Sequence, residues 1–245
     1  MYLLIFCLMN SNSFADCLFR VRVSDYAPLY FQDKNGKWTG LDVELADALF
    51  NEMSCRSLYE IVPWKRSLME LKRGNLDMMM TLSITEERKK FLNFLGPIRD
   101  EIIALAVSDN SDYHINSLED FKKFPGKIGI QMGSFYGDAF DTKYKNDKNF
   151  ANKFYALAND KQNIYRLKAN RIFGFFGDRY NLAYKIANDD AFKGIKIHPF
   201  FINQAFVYFG FSKKSVSKEM FNRIQKAFDQ AKLKGKFEKI LQKYR

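Results

Sequence analysis

Short apolar runs alternate with longer segments of helical period along almost the whole chain. The run Leu18–Val23 predicts a first strand, and residues 41–53 predict a helix, because their apolar positions recur every three or four residues. Strands that alternate with helices in this way favour an α/β architecture. In the first half, further strands are predicted at 58–62 and 77–81, and a helix that begins after Pro63 is predicted at 64–73.

Two strongly apolar runs, 102–107 and 205–211, suit buried strands that carry the chain out of one lobe and back again. Two α/β lobes joined by two crossing strands make a hinged clamshell. The segment after the second run is predicted to be helical and to pack on the first lobe. Between the two runs, strands are predicted at 127–131, 153–157 and 172–176, and helices at 160–169 and 178–187.

The first fifteen residues predict an export signal. Residues 2–9 are apolar, and Ser13 and Ala15 place small side chains at positions −3 and −1 of a cut after Ala15. A hydrophobic first strand is the alternative. Cleavage would leave Cys17 and Cys55, each just before a predicted strand.

These two cysteines become neighbours if the first two strands pair. In an oxidising periplasm these residues would form a Cys17–Cys55 disulfide, which would stabilise the fold by up to about 4 kcal/mol. Two buried free thiols are the alternative. No metal site or cofactor is predicted, since His114 and His198 have no ligand-like spacing to either cysteine.

The charge of the chain, formally +11, would suit a nucleic-acid partner. The basic residues are spread along the sequence, however, and the densest region, 213–243, carries apolar residues at helical spacing. That pattern predicts the solvated face of an amphipathic helix. No groove-reading motif or interleaving of aromatic and basic residues is present, so nucleic acid is not an expected partner.

Polar and aromatic side chains follow the predicted strands at the point where each strand ends. Ligands of open α/β sheets bind outside the carboxyl ends of strands, so these residues are candidates for a ligand site. They are Tyr26, Trp64, Thr81, Ser83, Ser134 and Asp178.

The segment 79–88 carries the most specific chemistry. Its apolar run ends in the hydroxyl residues Thr81 and Ser83 and then opens a short helix that carries Arg88. Hydroxyls, freed backbone N–H groups and a planar guanidinium at one spot suit a small anion such as a carboxylate. The alternative is that Thr85 caps the helix and Arg88 is a solvated helix residue.

Several motifs occur in a fixed order: Tyr26-Ala27-Pro28, residues 33–46, Val62-Pro63-Trp64, Leu68–Gly74-Asn75-Leu76-Asp77, and Ser83-Ile84-Thr85 with Arg88. Together they resemble the extracellular solute-binding proteins of the polar amino-acid type, family 3, which serve ABC importers. The resemblance runs from about residue 18 to the C-terminus, and it implies the type II periplasmic-binding-protein fold. Lobe one would then be residues 16–106 plus 206–245, and lobe two residues 107–205.

The resemblance implies that Arg88, helped by Thr81 and Ser83, holds the α-carboxylate of the ligand. Ser134, at a helix N-terminus, would add a contact from the opposite lobe, although it could simply cap that helix.

The resemblance further implies that Asp178 receives the α-amino group, while Tyr26 and Trp64 flank the ligand's side chain. Plainer roles stay open for each of them. Asp178 could be a helix N-cap, Tyr26 a packed turn residue, and Trp64 a core residue.

Three functions are compatible with these features. The leading one is a monomeric periplasmic protein that captures a small polar solute, an amino acid, for an ABC permease. The second is a sensory module that presents ligand occupancy to a membrane protein. The third, a dehydratase-type enzyme of the same fold, is disfavoured because no nucleophile–base pair is apparent and the two histidines are predicted near surface or hinge segments of lobe two.

Overall fold

The computed structural model describes residues 17–157 and 161–244. Within those ranges no helix is both long enough and apolar enough to cross a bilayer. The predicted export signal and its cut after Ala15 lie outside the described residues.

The first half of the chain forms three parallel strands with helices between them. A small hairpin follows the first strand, a feature that the apolar pattern does not predict. The elements are β1 (Leu18–Val23), β2 (Phe31–Gln32), β3 (Trp38–Thr39), α1 (Leu41–Asn51), β4 (Arg56–Ile61), α2 (Trp64–Arg73), β5 (Met78–Leu82) and α3 (Glu86–Lys89).

The second half repeats the alternation between two long strands and closes with two helices. The elements are β6 (Leu92–Ser108), β7 (Ile128–Gln131), α4 (Asp138–Asn146), α5 (Lys148–Ala151), β8 (Phe154–Leu157), α6 (Lys161–Lys168), β9 (Gly174–Asp178), α7 (Arg179–Asn188), β10 (Ile195–Ser212), α8 (Lys218–Leu233) and α9 (Lys236–Lys243). Short 3₁₀ turns cover Leu118–Lys123 and Asp190–Phe192.

The long strands β6 and β10 lie at the centre of the sheet and belong to both halves. They pair antiparallel from Leu92 opposite Ser212 to Ser108 opposite Ile195, with register shifts on the way. The strand order is β4-β1-β5-β10-β6-β9-β7-β8, so β10 pairs with β5 on one side and β6 pairs with β9 on the other. This is the two-lobed α/β fold with two crossing strands. We call the part built on β4, β1 and β5 the first lobe, and the part built on β9, β7 and β8 the second lobe.

The crossing strands are longer than the apolar runs predict. Residues 102–107 and 205–211 form only part of β6 and β10, which have 17 and 18 residues. The extra residues mix buried, half-buried and exposed positions and do not form a continuous apolar run.

The C-terminal segment packs on the first lobe, as predicted. Ile224 and Phe228 of α8 and Phe237 of α9 share a buried cluster with Leu45 and Phe50 of α1. The many basic residues of 213–243 occupy the outward faces of these helices. The second lobe has its own core, in which Phe rings meet mostly edge to face.

A disulfide joins Cys17 to Cys55, with their Cα atoms 4.7 Å apart. β1 and β4 are parallel neighbours in which Leu18 lies opposite Arg56, and each cysteine directly precedes its strand. The pairing of the first two strands therefore brings the sulfurs together, and the prediction of a bridge is confirmed.

Candidate functional site

A cavity of about 920 Å³ lies between the two lobes. Residues from both lobes line it, and neither histidine is among them. All seven residues predicted from the sequence line this one cavity: Tyr26, Trp64, Thr81, Ser83, Arg88, Ser134 and Asp178.

Arg88 belongs to the short helix α3, and its side chain lines the cavity. Thr85 caps α3, and its hydroxyl accepts a hydrogen bond from the Arg88 backbone N–H at 3.2 Å. The capping role proposed for Thr85 is confirmed, but the alternative that Arg88 is solvated is wrong, because Arg88 is only 6% exposed.

The Arg88 guanidinium donates to two backbone carbonyls and to no carboxylate in the part of the chain that the structure describes. Nη1 lies 2.9 Å from the Ser83 oxygen, and Nη2 lies 3.1 Å from the Gly133 oxygen of the second lobe. Burial lowers the pKa of Arg88 to about 10, and the nearby charge of Glu101 opposes this shift. The group therefore stays cationic at neutral pH, with donors left over for an anion.

Thr81 is the penultimate residue of β5, and its backbone lies in the left-handed region, with a φ of 60°. Its hydroxyl donates to the buried carboxylate of Asp42 in α1. The hydroxyl proton is thus used within the protein, so Thr81 serves to connect the strand end to Asp42. Ser83 is buried, and its carbonyl orients Arg88.

Asp178 ends β9 and caps α7, since its Oδ1 accepts from the Tyr180 N–H at 2.7 Å. The capping role is confirmed, and it coexists with a place in the cavity wall. The strand reaches two residues further than predicted, because Asp178 pairs with Ile103 of β6. The backbone N–H of Asp178 donates to the Tyr26 hydroxyl at 3.2 Å, a contact between the lobes.

A buried ion chain runs from α1 to β9. The Arg99 guanidinium donates to Asp42 Oδ1 at 2.9 Å and to Asp178 Oδ2 at 3.1 Å, and all three side chains are at most 3% exposed. Burial alone would lower the pKa of Arg99, but Asp42 and Asp178 raise it well above its usual value. Arg99 is thus fully engaged with protein carboxylates.

Glu101 adds a third carboxyl group to this cluster. It is buried, lines the cavity, and lies two residues after Arg99 in β6. Burial raises its pKa to about 8, and the neighbouring negative charge of Asp178 acts in the same direction. Burial raises the pKa of Asp178 as well. Both shifts favour the protonated, neutral form of the carboxyl group.

Trp64 opens α2 and touches the second lobe. Its Nε1 donates to the Gly133 oxygen at 3.1 Å, so Trp64 and Arg88 share one acceptor. Trp64 also packs with Leu71 and Leu76 in a buried cluster. Trp64 is therefore a core residue that also lines the cavity.

Ser134 lies in the cavity wall but not at a helix N-terminus, so that part of the prediction is wrong. α4 begins at Asp138, after Gly137, whose φ of 95° suits glycine and turns the chain into the helix. The Ser134 hydroxyl donates instead to Gln131 Oε1 at 2.9 Å.

Arg22 is a further cation in the cavity wall that the sequence analysis missed. Its guanidinium lies 5.4 Å from the ring centroids of Tyr30 and Trp64 and donates to the Val62 carbonyl at 3.0 Å. A signal for it was present. In β1 the alternate residues Val21 and Val23 face the core, so Arg22 had to face the other side, toward the end of β4.

Residues 20–245 match the family described as bacterial extracellular solute-binding proteins, family 3. The probable amino-acid-binding protein YxeM of Bacillus subtilis (strain 168) is 26% identical over 214 residues, which are 86% of this chain and 77% of YxeM. The arginine-binding periplasmic protein of Mannheimia haemolytica is 28% identical over 225 residues, which are 89% of this chain and 87% of that protein.

A solved structure with a similar fold is an ancestral arginine-binding protein bound to glutamine. It is 28% identical, superposes with a TM-score of 0.75, and covers 93% of this chain and 97% of its own.

Proposed function

Because this chain belongs to the bacterial extracellular solute-binding proteins of family 3, we propose that it captures an amino acid by closing its two lobes around it. One observation carries the proposal: a buried guanidinium that pairs with no carboxylate of the described chain and a pair of acids line the same cavity. A zwitterion removed from water needs both of its charges met, and this cavity offers both partners.

In the proposed complex, Arg88 receives the α-carboxylate through donors that Ser83 and Gly133 leave free. Asp178 receives the α-amino group, and the rings of Tyr26 and Trp64 flank the side chain of the ligand. Each charge-assisted hydrogen bond contributes on the order of 1.5–3 kcal/mol. Thr81 holds Asp42 by a hydrogen bond and so stabilises the wall of the site. Ser134 adds a contact with the ligand from the loop of the second lobe.

Closure follows from the placement of the two charged partners. Arg88 is carried by the first lobe, and Asp178 ends a strand of the second. A ligand that touches both is bound more tightly when the lobes are together, and it shifts the population toward that state by this difference.

The proposed location is the periplasm, to which an export signal that is cleaved after Ala15 directs the chain. The protein would act there as a monomer. Its proposed partner is an ABC permease that receives the ligand. A membrane sensor that reads occupancy of the same cleft is the alternative partner. The two are separated by uptake of labelled amino acid: deletion of the gene abolishes uptake if the partner is a permease and leaves it intact if the partner is a sensor.

The capture of an amino acid is tested by thermal unfolding with each of the twenty standard amino acids and with small carboxylates that lack an amine. A ligand at 100 times its dissociation constant adds about 2.7 kcal/mol to the free energy of unfolding. We expect one or a few amino acids to raise the midpoint and simple carboxylates to do so weakly. A flat response to all twenty amino acids would refute the proposal.

Glu101 favours one enzymatic alternative. A buried carboxyl that keeps its proton near pH 7 could act as a general acid in the loss of water from a cyclic hydroxy acid. Incubation with such substrates, followed by NMR, tests this alternative. Substrate that persists unchanged while it stabilises the protein would favour binding over catalysis.

A further inference from the structure

The strand register places Glu101 beside Asp178. Ile103 of β6 lies directly opposite Asp178 of β9, and Glu101 is two residues before Ile103 on the same strand. Side chains two apart on a strand share a face, and the diagonal neighbours of an antiparallel pair are within reach of long side chains. Glu101, Ile103 and Asp178 all line the cavity, as this register requires.

The charges around Glu101 do not balance inside the protein. Arg99 from its own strand, Asp178 from β9 and Asp42 from α1 face it, and Arg88 from α3 is close enough to feel its charge. Arg99 already serves two carboxylates, Asp42 and Asp178. A third carboxylate in this buried cluster would be left without a cation of its own, so the empty protein retains a proton there, shared by Glu101 and Asp178 through a side-chain hydrogen bond.

We propose that Glu101 completes the ammonium end of the ligand site, and that the ligand's cationic group takes the place of the proton that Glu101 and Asp178 share in the empty protein. The inference rests on the proposed function and adds to it a second acid that binds the amine.

Charge is conserved in this exchange. The empty pair carries one negative charge and one shared proton. When the R–NH₃⁺ group enters, the proton passes to the solvent buffer, and two carboxylates then face one ammonium group. Binding of an amino acid therefore releases up to one proton below pH 8 and fewer at higher pH. A ligand without an amine releases none.

The consequence for affinity is a pH dependence of definite sign. While the pair is protonated, each added pH unit strengthens amino-acid binding by up to tenfold, and the gain ends near pH 8, where the pair has lost its proton in the empty protein as well. Retention of the amino acid would thus be weaker in an acidified periplasm than in a neutral one.

The test is isothermal titration calorimetry of the full exported chain with those amino acids that raise its unfolding midpoint. Titrations at pH 6.5 in phosphate and in imidazole, which differ in ionisation enthalpy, give the number of protons released. We expect a value close to one for the wild type at pH 6.5 and a clearly lower value at pH 8.5, where the pair has largely lost its proton and the amine of the free ligand is still mostly protonated. A simple carboxylate that binds serves as the amine-free control.

The variant Glu101→Gln keeps the shape and hydrogen-bonding capacity of the side chain but cannot exchange the proton. We expect it to release no proton and to lose the pH dependence between pH 6 and 8, so that it binds at least tenfold more weakly than the wild type at pH 8 and comparably at pH 6. Glu219→Gln, at an exposed position on α8, should leave both quantities unchanged.

Several outcomes would overturn the inference. Amino-acid binding by the wild type without proton release would remove it and leave the proposed function standing, and this measurement needs no variant to fold. Proton release that persists in a folded Glu101→Gln variant would assign the proton elsewhere. If none of the twenty amino acids binds, the proposed function and this inference fall together.

Discussion

Arg99 donates to Asp178 at 3.1 Å across the boundary between β6 and β9. The same guanidinium holds Asp42 of α1 at 2.9 Å, so one cation ties the first lobe to the crossing strand and to the end of a strand in the second lobe. Arg99 therefore organises the acidic end of the cavity, whereas Arg88 remains available to a ligand.

The first prediction concerns Arg88. Arg88→Ala should weaken amino-acid binding at least tenfold, because the charge-assisted bonds it would remove contribute about 1.5–3 kcal/mol each. The measurement is the ligand-induced rise in the unfolding midpoint. Arg223→Ala, an exposed position on α8, is the matched control and should respond as the wild type does. An undiminished rise in Arg88→Ala would show that the carboxylate is held elsewhere.

Asp178→Asn should weaken the binding of amino acids by roughly ten- to a hundredfold and that of simple carboxylates far less, since the amine is the one charged group of the ligand that loses its countercharge. Within the protein, Arg99 keeps Asp42 as its partner. Asparagine is as good an N-cap as aspartate, so α7 should persist and the variant should fold. Titration with an amino acid and with its amine-free analogue checks the selectivity. Equal weakening of the two ligands would contradict the amine role.

Arg99→Met should be strongly destabilising, by about 3–5 kcal/mol, because it leaves Asp42 and Asp178 buried without their cation. Arg73→Met removes an exposed partner of Glu70 and should cost at most about 1 kcal/mol. Urea unfolding of both variants gives the comparison. Similar losses of unfolding free energy in the two variants would show that Asp42 and Asp178 do not depend on the charge of Arg99.

The free energy of unfolding should fall as pH rises from about 5 to 8, through the contribution of Glu101. Its pKa is raised to about 8 in the folded state, so over this range the folded chain holds a proton that the unfolded chain releases. The contribution reaches about 1.4 kcal/mol per pH unit where the proton is held only by the folded chain. Urea unfolding across this range should give a flatter profile for Glu101→Gln, and identical profiles would show that Glu101 does not titrate there.

Thiol counting tests the disulfide and the export signal together. Denatured exported protein should show no reactive thiol, and reduction should reveal two, from Cys17 and Cys55. A chain that keeps residues 1–15 would add the thiol of Cys7. Replacing both bridged cysteines by serine should lower the free energy of unfolding by up to about 4 kcal/mol. Two reactive thiols before reduction would rule the bridge out in the exported protein.

Much of the fold was predictable because local sequence patterns determine its helices and strands. Leu18–Val23, Trp64–Arg73 and the amphipathic C-terminal helices follow from apolar spacing and from Pro and Gly at their ends. The meeting of the seven candidate residues in one cavity was also predictable, because six of them lie at or just after the end of a predicted strand and strand ends converge. Arg88 follows on the short helix after β5.

The acidic end of the site was not predictable in the same way. The stretch Arg99-Asp100-Glu101 resembles a solvated charged turn before an apolar run. In the structure it lies within β6, where alternation buries Arg99 and Glu101 and exposes Asp100. Their partners Asp42 and Asp178 are 57 and 79 residues from Arg99, and only the tertiary fold decides that these carboxylates meet one guanidinium.

The shared acceptor at Gly133 has a consequence for any guest. Its carbonyl already occupies one donor of Arg88 and the donor of Trp64, from the opposite side of the cleft. An anion that binds the remaining donors of Arg88 keeps these hydrogen bonds, whereas an anion that moves the guanidinium breaks its hydrogen bond to Gly133. In the second case the measured dissociation constant reflects the free energy of the new contact between the ligand and Arg88 minus that of the lost Arg88–Gly133 hydrogen bond. It therefore understates the strength of the ligand contact itself.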